Sequence, residues 1–210
     1  MEEAAKDQYK KTGTTTIGLV CSDGVILAAD KRATMGYYIA NKQTQKIYLI
    51  SDRIAMTLAG GVGDAQNLVR WMRAEIKLYE LKTGKRMAVE GAATLLANIL
   101  SQYKFFPFFV QLLVGGVDGR PRVFNIDMLG GVTEEDINAT GSGSPIAMGL
   151  LEQLFKHGGT VEENIVTAAK SVDSAMRRDA GSGEGIDMVI IKPEGVERLD
   201  DKDVKKLLEH

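Results

Sequence analysis

Chemistry in this chain can start at Gly13-Thr14, where a polar leader meets the run Thr14-Thr15-Thr16 and then the apolar stretch Ile17-Gly18-Leu19-Val20-Cys21. If the Gly13–Thr14 bond is cut, Thr14 carries a nucleophilic hydroxyl and a free α-amine on adjacent carbons. An α-amine has an ordinary pKa of roughly 7.7–8.0, so a fair share is neutral near neutral pH and can accept a proton. A threonine hydroxyl beside its own terminal amine is one of the arrangements that activates a weak nucleophile. The other reading of the same residues is purely structural, three β-branched side chains entering a strand.

Rival chemistries lose their raw material. Gly61-Val62-Gly63-Asp64-Ala65-Gln66 follows a strand and opens a helix, as a dinucleotide-binding turn does. Gln66 stands where a third glycine belongs, however, and the next element is a second helix rather than a strand with a ribose-binding acid. These glycines suit a close backbone approach to a bound chain, or N–H donors at a helix start. Gly141-Ser142-Gly143 is only a fragment of a hydrolase nucleophile elbow. The two histidines are His157, read as a helix C-terminal cap beside glycines, and the terminal His210. With those and the single Cys21, histidine triads, Cys/His proteases and zinc sites have too few ligands, and no metal or other cofactor is expected. What remains are polar residues at the ends of apolar segments: Asp30, Lys46, Asp179 and Ser182, the last followed by Gly183.

The elements that must position them follow from the hydrophobic pattern. Residues 14–21 and 25–29 read as a hairpin about Ser22-Asp23-Gly24. Residues 33–45, with Gly36 and Tyr37-Tyr38, read as a looser segment. Residues 46–50 and 53–59 form a second hairpin. Leu68, Met72 and Ile76, with Val69 and Trp71 beside them, keep helical spacing through to Leu81, and Lys82-Thr83-Gly84 closes that helix. A second helix over 88–103 stops before Pro107. Strands follow at 109–117, 122–127 and 137–140. Pro145 opens a third helix, and Thr160 with Glu163 makes a capping box for a fourth. Strands 186–191 and 196–199 and a short helix from Asp200 complete the chain. Strands therefore come in hairpins and helices in pairs, without the alternation of a parallel doubly wound sheet. The expected fold is α+β, a four-layer α-β-β-α sandwich of two antiparallel sheets with a helix pair outside each.

Composition agrees with one ordinary folded domain: 210 residues, 44% hydrophobic and 26% charged. A net charge of −2 gives no electrostatic footprint for nucleic acid or an anionic membrane. No apolar run is long enough to span a bilayer. The lone cysteine fits a reducing cytosol, so a cytoplasmic protein is expected. Residues 1–13 mix acids and lysines without the apolar centre of a secretory signal, and read as a tail or a propeptide. Leu208-Glu209-His210 reads as a remnant of an expression tag.

Taken together, Gly13-Thr14-Thr15-Thr16-Ile17-Gly18, Asp30-Lys31-Arg32-Ala33-Thr34, Lys46, Gly60-Gly61-Val62-Gly63-Asp64-Ala65, Gly141-Ser142-Gly143-Ser144 and Arg178-Asp179-Ala180-Gly181-Ser182-Gly183 resemble the β-type subunits of proteasomes. The archaeal kind, in the N-terminal nucleophile hydrolase superfamily, is the nearest in pattern. The resemblance runs from Gly13 to about Leu199 and implies the same four-layer sandwich. It implies Thr14 as nucleophile, Lys46 as the essential lysine, Asp30 as its acid, and Ser142, Asp179 and Ser182 as the group around the terminal amine. It gives the Gly60 N–H the oxyanion role and assigns substrate contacts to Ala33, Thr34, Thr44, Tyr48, Leu58 and Val62. Those contacts are mostly apolar and uncharged, so cleavage after hydrophobic residues is expected.

The resemblance also implies a propeptide of residues 1–13, removed by autocatalysis at Gly13–Thr14, and a mature domain of residues 14–210. It implies a ring of seven β subunits stacked with α-type subunits in a four-ring barrel, fed with unfolded polypeptide by a regulatory ATPase ring. Two other functions fit the same fold: a non-catalytic ring subunit, and an N-terminal nucleophile amidohydrolase acting on a small amide.

Overall fold

Strand pairing is antiparallel throughout the computed structural model, which describes residues 13–209. The first sheet is built from β1 (Thr16–Cys21), β2 (Gly24–Asp30), β10 (Ile137–Thr140), β11 (Ile186–Lys192) and β12 (Gly195–Leu199), in the order β10-β1-β2-β11-β12. The second contains β5 (Ile47–Leu49), β6 (Ile54–Gly60), β7 (Val110–Val117), β8 (Pro121–Ile126) and β9 (Val132–Glu134), in chain order. Between them in sequence lies a small ribbon of β3 (Ala33–Met35) and β4 (Tyr38–Asn41).

Alternation along each strand makes the layers. On β6 and β7, Ile54, Met56, Leu58, Val110, Leu112 and Val114 meet the helices α1 (Val62–Thr83) and α2 (Val89–Gln102). The intervening Ala55 and Leu113 face the other sheet, where they meet Val25, Leu27, Ala29 and Val189. On the far side, Ile17, Leu19, Ile26, Ala28 and Met188 pack under α3 (Ser144–Leu154), α4 (Val161–Arg178) and α5 (Asp201–Leu208). Because a strand's side chains point to opposite faces with period two, each inner strand is covered twice. The sandwich is thus the expected α-β-β-α stack.

Local signals match their elements where chemistry was written into the sequence. Thr160 accepts from Glu163 N–H and the Glu163 carboxylate accepts from Thr160 N–H, completing the capping box of α4. Pro145 sits in the first turn of α3. Four readings need correction. The loose segment 33–45 contains the β3–β4 ribbon, turned at Gly36 with φ +63°. β9 was unmarked. Neither shows alternation, because neither has a consistently buried face. Trp71 is 40% exposed and lies against Tyr103 and Phe108 instead of facing the sheet. His157 caps no helix: Phe155 is the C-terminal cap of α3, and His157 packs edge-on against that ring while its Nδ1 lies 3.7 Å from Asp136.

The chain's two extremities are only partly described. Leu208, read as part of a tag remnant, is the last residue of α5 and packs against the sheet-one core. His210 and residues 1–12 of the leader lie outside the described residues. Among the described residues, no helix is long and apolar enough to cross a membrane.

Candidate active site

The site forms where the two sheets meet at one end. Thr14 stands two residues before β1, and the β1–β2 register places Thr16 opposite Ala29, so Thr15 comes level with Asp30 at the end of β2. The Asp30 N–H donates to Thr15 O at 3.1 Å. Lys46 immediately precedes β5 in the other sheet, and its carbonyl accepts from Leu58 N–H at 2.9 Å on β6. The Lys46 side chain crosses between the sheets and its Nζ donates to Asp30 Oδ1 at 2.6 Å.

Asp30 is saturated with donors. Oδ1 also accepts from Thr15 N–H at 2.9 Å, and Oδ2 accepts from Gly183 N–H at 2.9 Å and Arg32 N–H at 3.0 Å. Side-chain exposure is 5% for Lys46 and 0% for Asp30. Burial pushes the Asp30 carboxyl up while Lys46 and the backbone donors pull it back. Burial likewise pushes the Lys46 ammonium down, opposed by Asp30. Each of the four donors needs an acceptor lone pair, which favours a carboxylate. The pair is therefore ionic, with the lysine proton held less tightly than in water.

A second network holds Thr14. Its N–H donates to Ser142 Oγ at 3.1 Å. Ser142 Oγ donates to Asp179 Oδ2 at 2.6 Å, and Ser182 Oγ donates to the same oxygen at 2.6 Å. Ser182 has spent its one proton on that carboxylate, so the 2.7 Å contact with Thr15 Oγ1 is a bond donated by Thr15. Ser142 lies at the turn before α3 and Asp179 is the C-terminal cap of α4, so the α3–α4 pair delivers both.

The scissile bond of the sequence reading lies inside this cluster. Thr14 Oγ1 donates to the carbonyl of Gly13 at 2.7 Å, and Gly13 N–H donates to Thr34 Oγ1 at 2.8 Å. Gly13 passes so close to Gly181 that a Cβ on either would overlap the other's Cα. Only glycine fits on both sides of this crossing.

Gly60 ends β6 with φ +120°, and a Cβ there would strike the Phe109 carbonyl. Gly61 N–H donates at 3.0 Å to the carbonyl of Phe109, the residue just before β7. The alternation of an antiparallel ladder therefore turns the Gly60 N–H to the opposite edge of β6, past the end of β5. That edge borders a cavity lined by Gly13, Thr14, Lys46 and Gly60.

All six residues expected to contact substrate line the same cavity: Ala33, Thr34, Thr44, Tyr48, Leu58 and Val62. Among the described residues, none makes a hydrogen bond to the buried Thr44 Oγ1. The structure also brings in residues that sequence reasoning missed. Gln45 and Ala65 complete the lining; Ala65 stands three residues after Val62 on α1, a spacing that could have found it. Arg32 crosses the Gly183 backbone, donating through Nη1 to Ala180 O at 3.0 Å. Thr15 and Gly181 carried no signal beyond their neighbours' chemistry.

Comparison with known proteins supplies an independent line. A family model described as Proteasome subunit matches residues 10–191. "Proteasome subunit beta" of Archaeoglobus profundus is 54% identical over 198 residues, covering 93% of this chain and 92% of that relative. The protein of the same description from Methanoregula boonei is 51% identical over 206 residues, 96% of this chain and 97% of the relative. That from Methanosarcina barkeri is 48% identical over 203 residues, 96% of each.

Proposed function

The chain belongs to the proteasome subunit family, and on that premise we propose that it is a catalytic β-type subunit, a threonine endopeptidase made as a precursor. The observation that carries this reading is the Thr14 hydroxyl bonded to the Gly13 carbonyl, within a cluster that holds Lys46–Asp30 and Ser142–Asp179–Ser182.

Processing comes first. Thr14 Oγ1 adds to the Gly13 carbonyl carbon, the C–N bond to Thr14 breaks, and the hydroxyl proton ends on the departing nitrogen. Residues 1–13 are then held as an ester on Thr14 Oγ1, and water hydrolyses it. The propeptide leaves, and the mature domain begins at Thr14. Until then the nitrogen is an amide and cannot act as a base, so the peptidase is masked.

The mature site works on the same atoms. The free amine takes the Thr14 hydroxyl proton as the oxygen attacks a substrate carbonyl. General base catalysis of this kind is worth on the order of 10²–10⁴-fold. The Lys46 cation favours the neutral amine and the developing alkoxide, lowering both pKa values. The Gly60 N–H receives the oxyanion, a donor worth roughly 3–4 kcal/mol. The amine then protonates the leaving group, and water cleaves the acyl ester on Thr14. Ser142 and Asp179, with Ser182 beside them, orient the amine.

Substrate is an unfolded polypeptide. It lies extended along Thr34, Gly60 and Val62 in β-augmenting fashion, with a hydrophobic residue in the apolar-lined cavity of Ala33, Thr44, Tyr48, Leu58 and Val62. Membership of the family entails assembly with other proteasome subunits. We propose a seven-membered β ring within a four-ring barrel with α-type subunits, served by an ATPase ring in the cytoplasm. Exposed Phe105 and Phe106 are apolar surface of the kind that association covers.

Thr14→Ala tests the reading. The variant assembles with residues 1–13 still attached by intact-mass spectrometry and hydrolyses no fluorogenic peptide. Normal leader removal, or turnover near that of the unmodified chain, would overturn the assignment of Thr14.

A further inference from the structure

Three buried threonines join the two sheets directly beneath the candidate site, and the mechanism above uses none of them. Thr16 Oγ1 lies 2.7 Å from Thr140 Oγ1 and 2.8 Å from Thr57 Oγ1, and Thr57 Oγ1 also accepts from Leu113 N–H at 3.3 Å. Thr16 and Thr57 are 0% exposed and Thr140 is 3% exposed. Thr16 and Thr140 are opposite one another in the first sheet, and Thr57 belongs to β6 of the second. Around them the layer between the sheets is apolar, filled by Val25, Leu27, Ala29, Ile47, Ala55 and Leu113.

Location makes this cluster more than packing. Thr16, the first residue of β1, is two residues after Thr14. Thr57 is opposite Ile47, the residue next to Lys46, and Leu58 N–H bonds the Lys46 carbonyl. The candidate site straddles the sheets: Thr14 comes from one and Lys46 from the other. Apolar packing is non-directional, whereas a hydroxyl–hydroxyl bond has a narrow range of length and angle. A valine has nearly the shape of a threonine and would fill the same space without needing partners. Hydroxyls at all three positions therefore point to a requirement on register.

We infer that Thr57, through Thr16 and Thr140, is a positioning residue that sets how close Lys46 stands to Thr14. The inference rests on the functional reading given above. Thr57 touches no substrate; it acts through the strand that leads to Lys46. Loosening it moves the ammonium relative to the nucleophile and the terminal amine, and displacements of about 1 Å cost on the order of 10²-fold in well-aligned reactions.

The experiment compares Thr57→Val, Thr57→Ser and Thr140→Val in the full-length assembled protein. For Thr57→Val, kcat on a fluorogenic peptide is expected to fall about 10–100-fold with KM within about twofold of the unmodified protein. The acid limb of its pH–rate profile should also move up, toward the ordinary α-amine value of roughly 7.7–8.0, because less of the Lys46 field reaches the amine. Thr57→Ser, which keeps the oxygen, restores both. Thr140→Val leaves the Thr16–Thr57 bond and has the smaller effect.

Where Thr57→Val does not fold, the triple replacement of Thr16, Thr57 and Thr140 by valine leaves no orphaned hydroxyl and should fold with the same kinetic defect. Unchanged kcat and acid limb in Thr57→Val or in the triple variant overturns the positioning role alone. So does an equal loss in Thr57→Val and Thr140→Val, which marks general weakening. Absence of Thr14-dependent turnover in the unmodified protein overturns the functional reading and the positioning role with it.

Discussion

Two ion-pair groups in this protein use the same chemistry to opposite ends. On the outer edge of the second sheet, Arg122 on β8 holds Glu134 on β9 through two bonds of 2.8 Å and reaches Glu90 on α2 at 2.7 Å, while stacking over Phe124. Between the sheets, Lys46 and Asp30 make one bond of 2.6 Å with almost no exposure. At the edge, pairing wins. Hydrogen bonding to Glu134 raises the Arg122 pKa, and hydrogen bonding to Arg122 lowers that of Glu134, so both become harder to neutralise. In the site, burial wins over pairing and drives both groups toward neutrality. The edge group staples a short exposed strand that has no buried face of its own. The inner pair stays ionic through its four donors, but burial works against its charges where water would have supported them.

The largest expected difference comes from removing one partner on each side of this comparison. Lys46→Ala leaves a buried carboxylate whose strongest donor is gone, and should cost about 3–5 kcal/mol in unfolding free energy together with all peptidase turnover. Chemical denaturation and a peptide assay read the two effects, and near-normal turnover would take Lys46 out of the mechanism. Glycine at the processing point comes next. Gly13→Ala pushes a Cβ into Gly181 and displaces the carbonyl from Thr14 Oγ1, so leader removal followed by intact mass should slow by about 10²-fold. Wild-type processing kinetics would mean that the Gly13–Gly181 crossing is not what aligns the bond.

A pH profile sharpens the contrast without mutation. In the proposed mechanism the amine must be neutral to act as base, so activity should rise as it loses its proton. The same mechanism needs a charged Lys46, so activity should fall again as the ammonium titrates. Burial lowers that second pKa, and the alkaline limb should lie below the ordinary lysine value of 10.5. A limb at or above 10.5 would say that Lys46 behaves like a surface group. At the other extreme, Glu134→Ala should lower stability by only about 1 kcal/mol or less and leave turnover unchanged. In 1 M salt, where the screening length is about 3 Å, even that difference should shrink. A loss comparable to that of Lys46→Ala would erase the distinction between edge and interior.

Much of this was legible in the residues. Hairpins, paired helices and the capping box at Thr160 and Glu163 are written locally, because turn residues and caps act within a few positions of themselves. The β3–β4 ribbon and β9 were not, since a strand with no consistently buried face leaves no alternation to read. For the candidate site, residue types and element ends marked Thr14, Asp30, Lys46 and Asp179 without saying which would meet. The assembly of these residues is a product of strand register. Thr15 reaches Ser182 across 167 positions, and Ser142 reaches Thr14 across 128. Arg32, Gly181 and the Thr16–Thr57–Thr140 cluster gained a role only once the sheets were stacked.

By itself, then, the sequence determined the antiparallel sandwich and a threonine behind a glycine, because periodicity and the shortage of histidine and cysteine leave few other solutions. Tertiary structure decided the rest. Bringing an ammonium from one sheet to a carboxylate on the other, out of water, depends on how the two sheets are registered, and no local pattern encodes that distance.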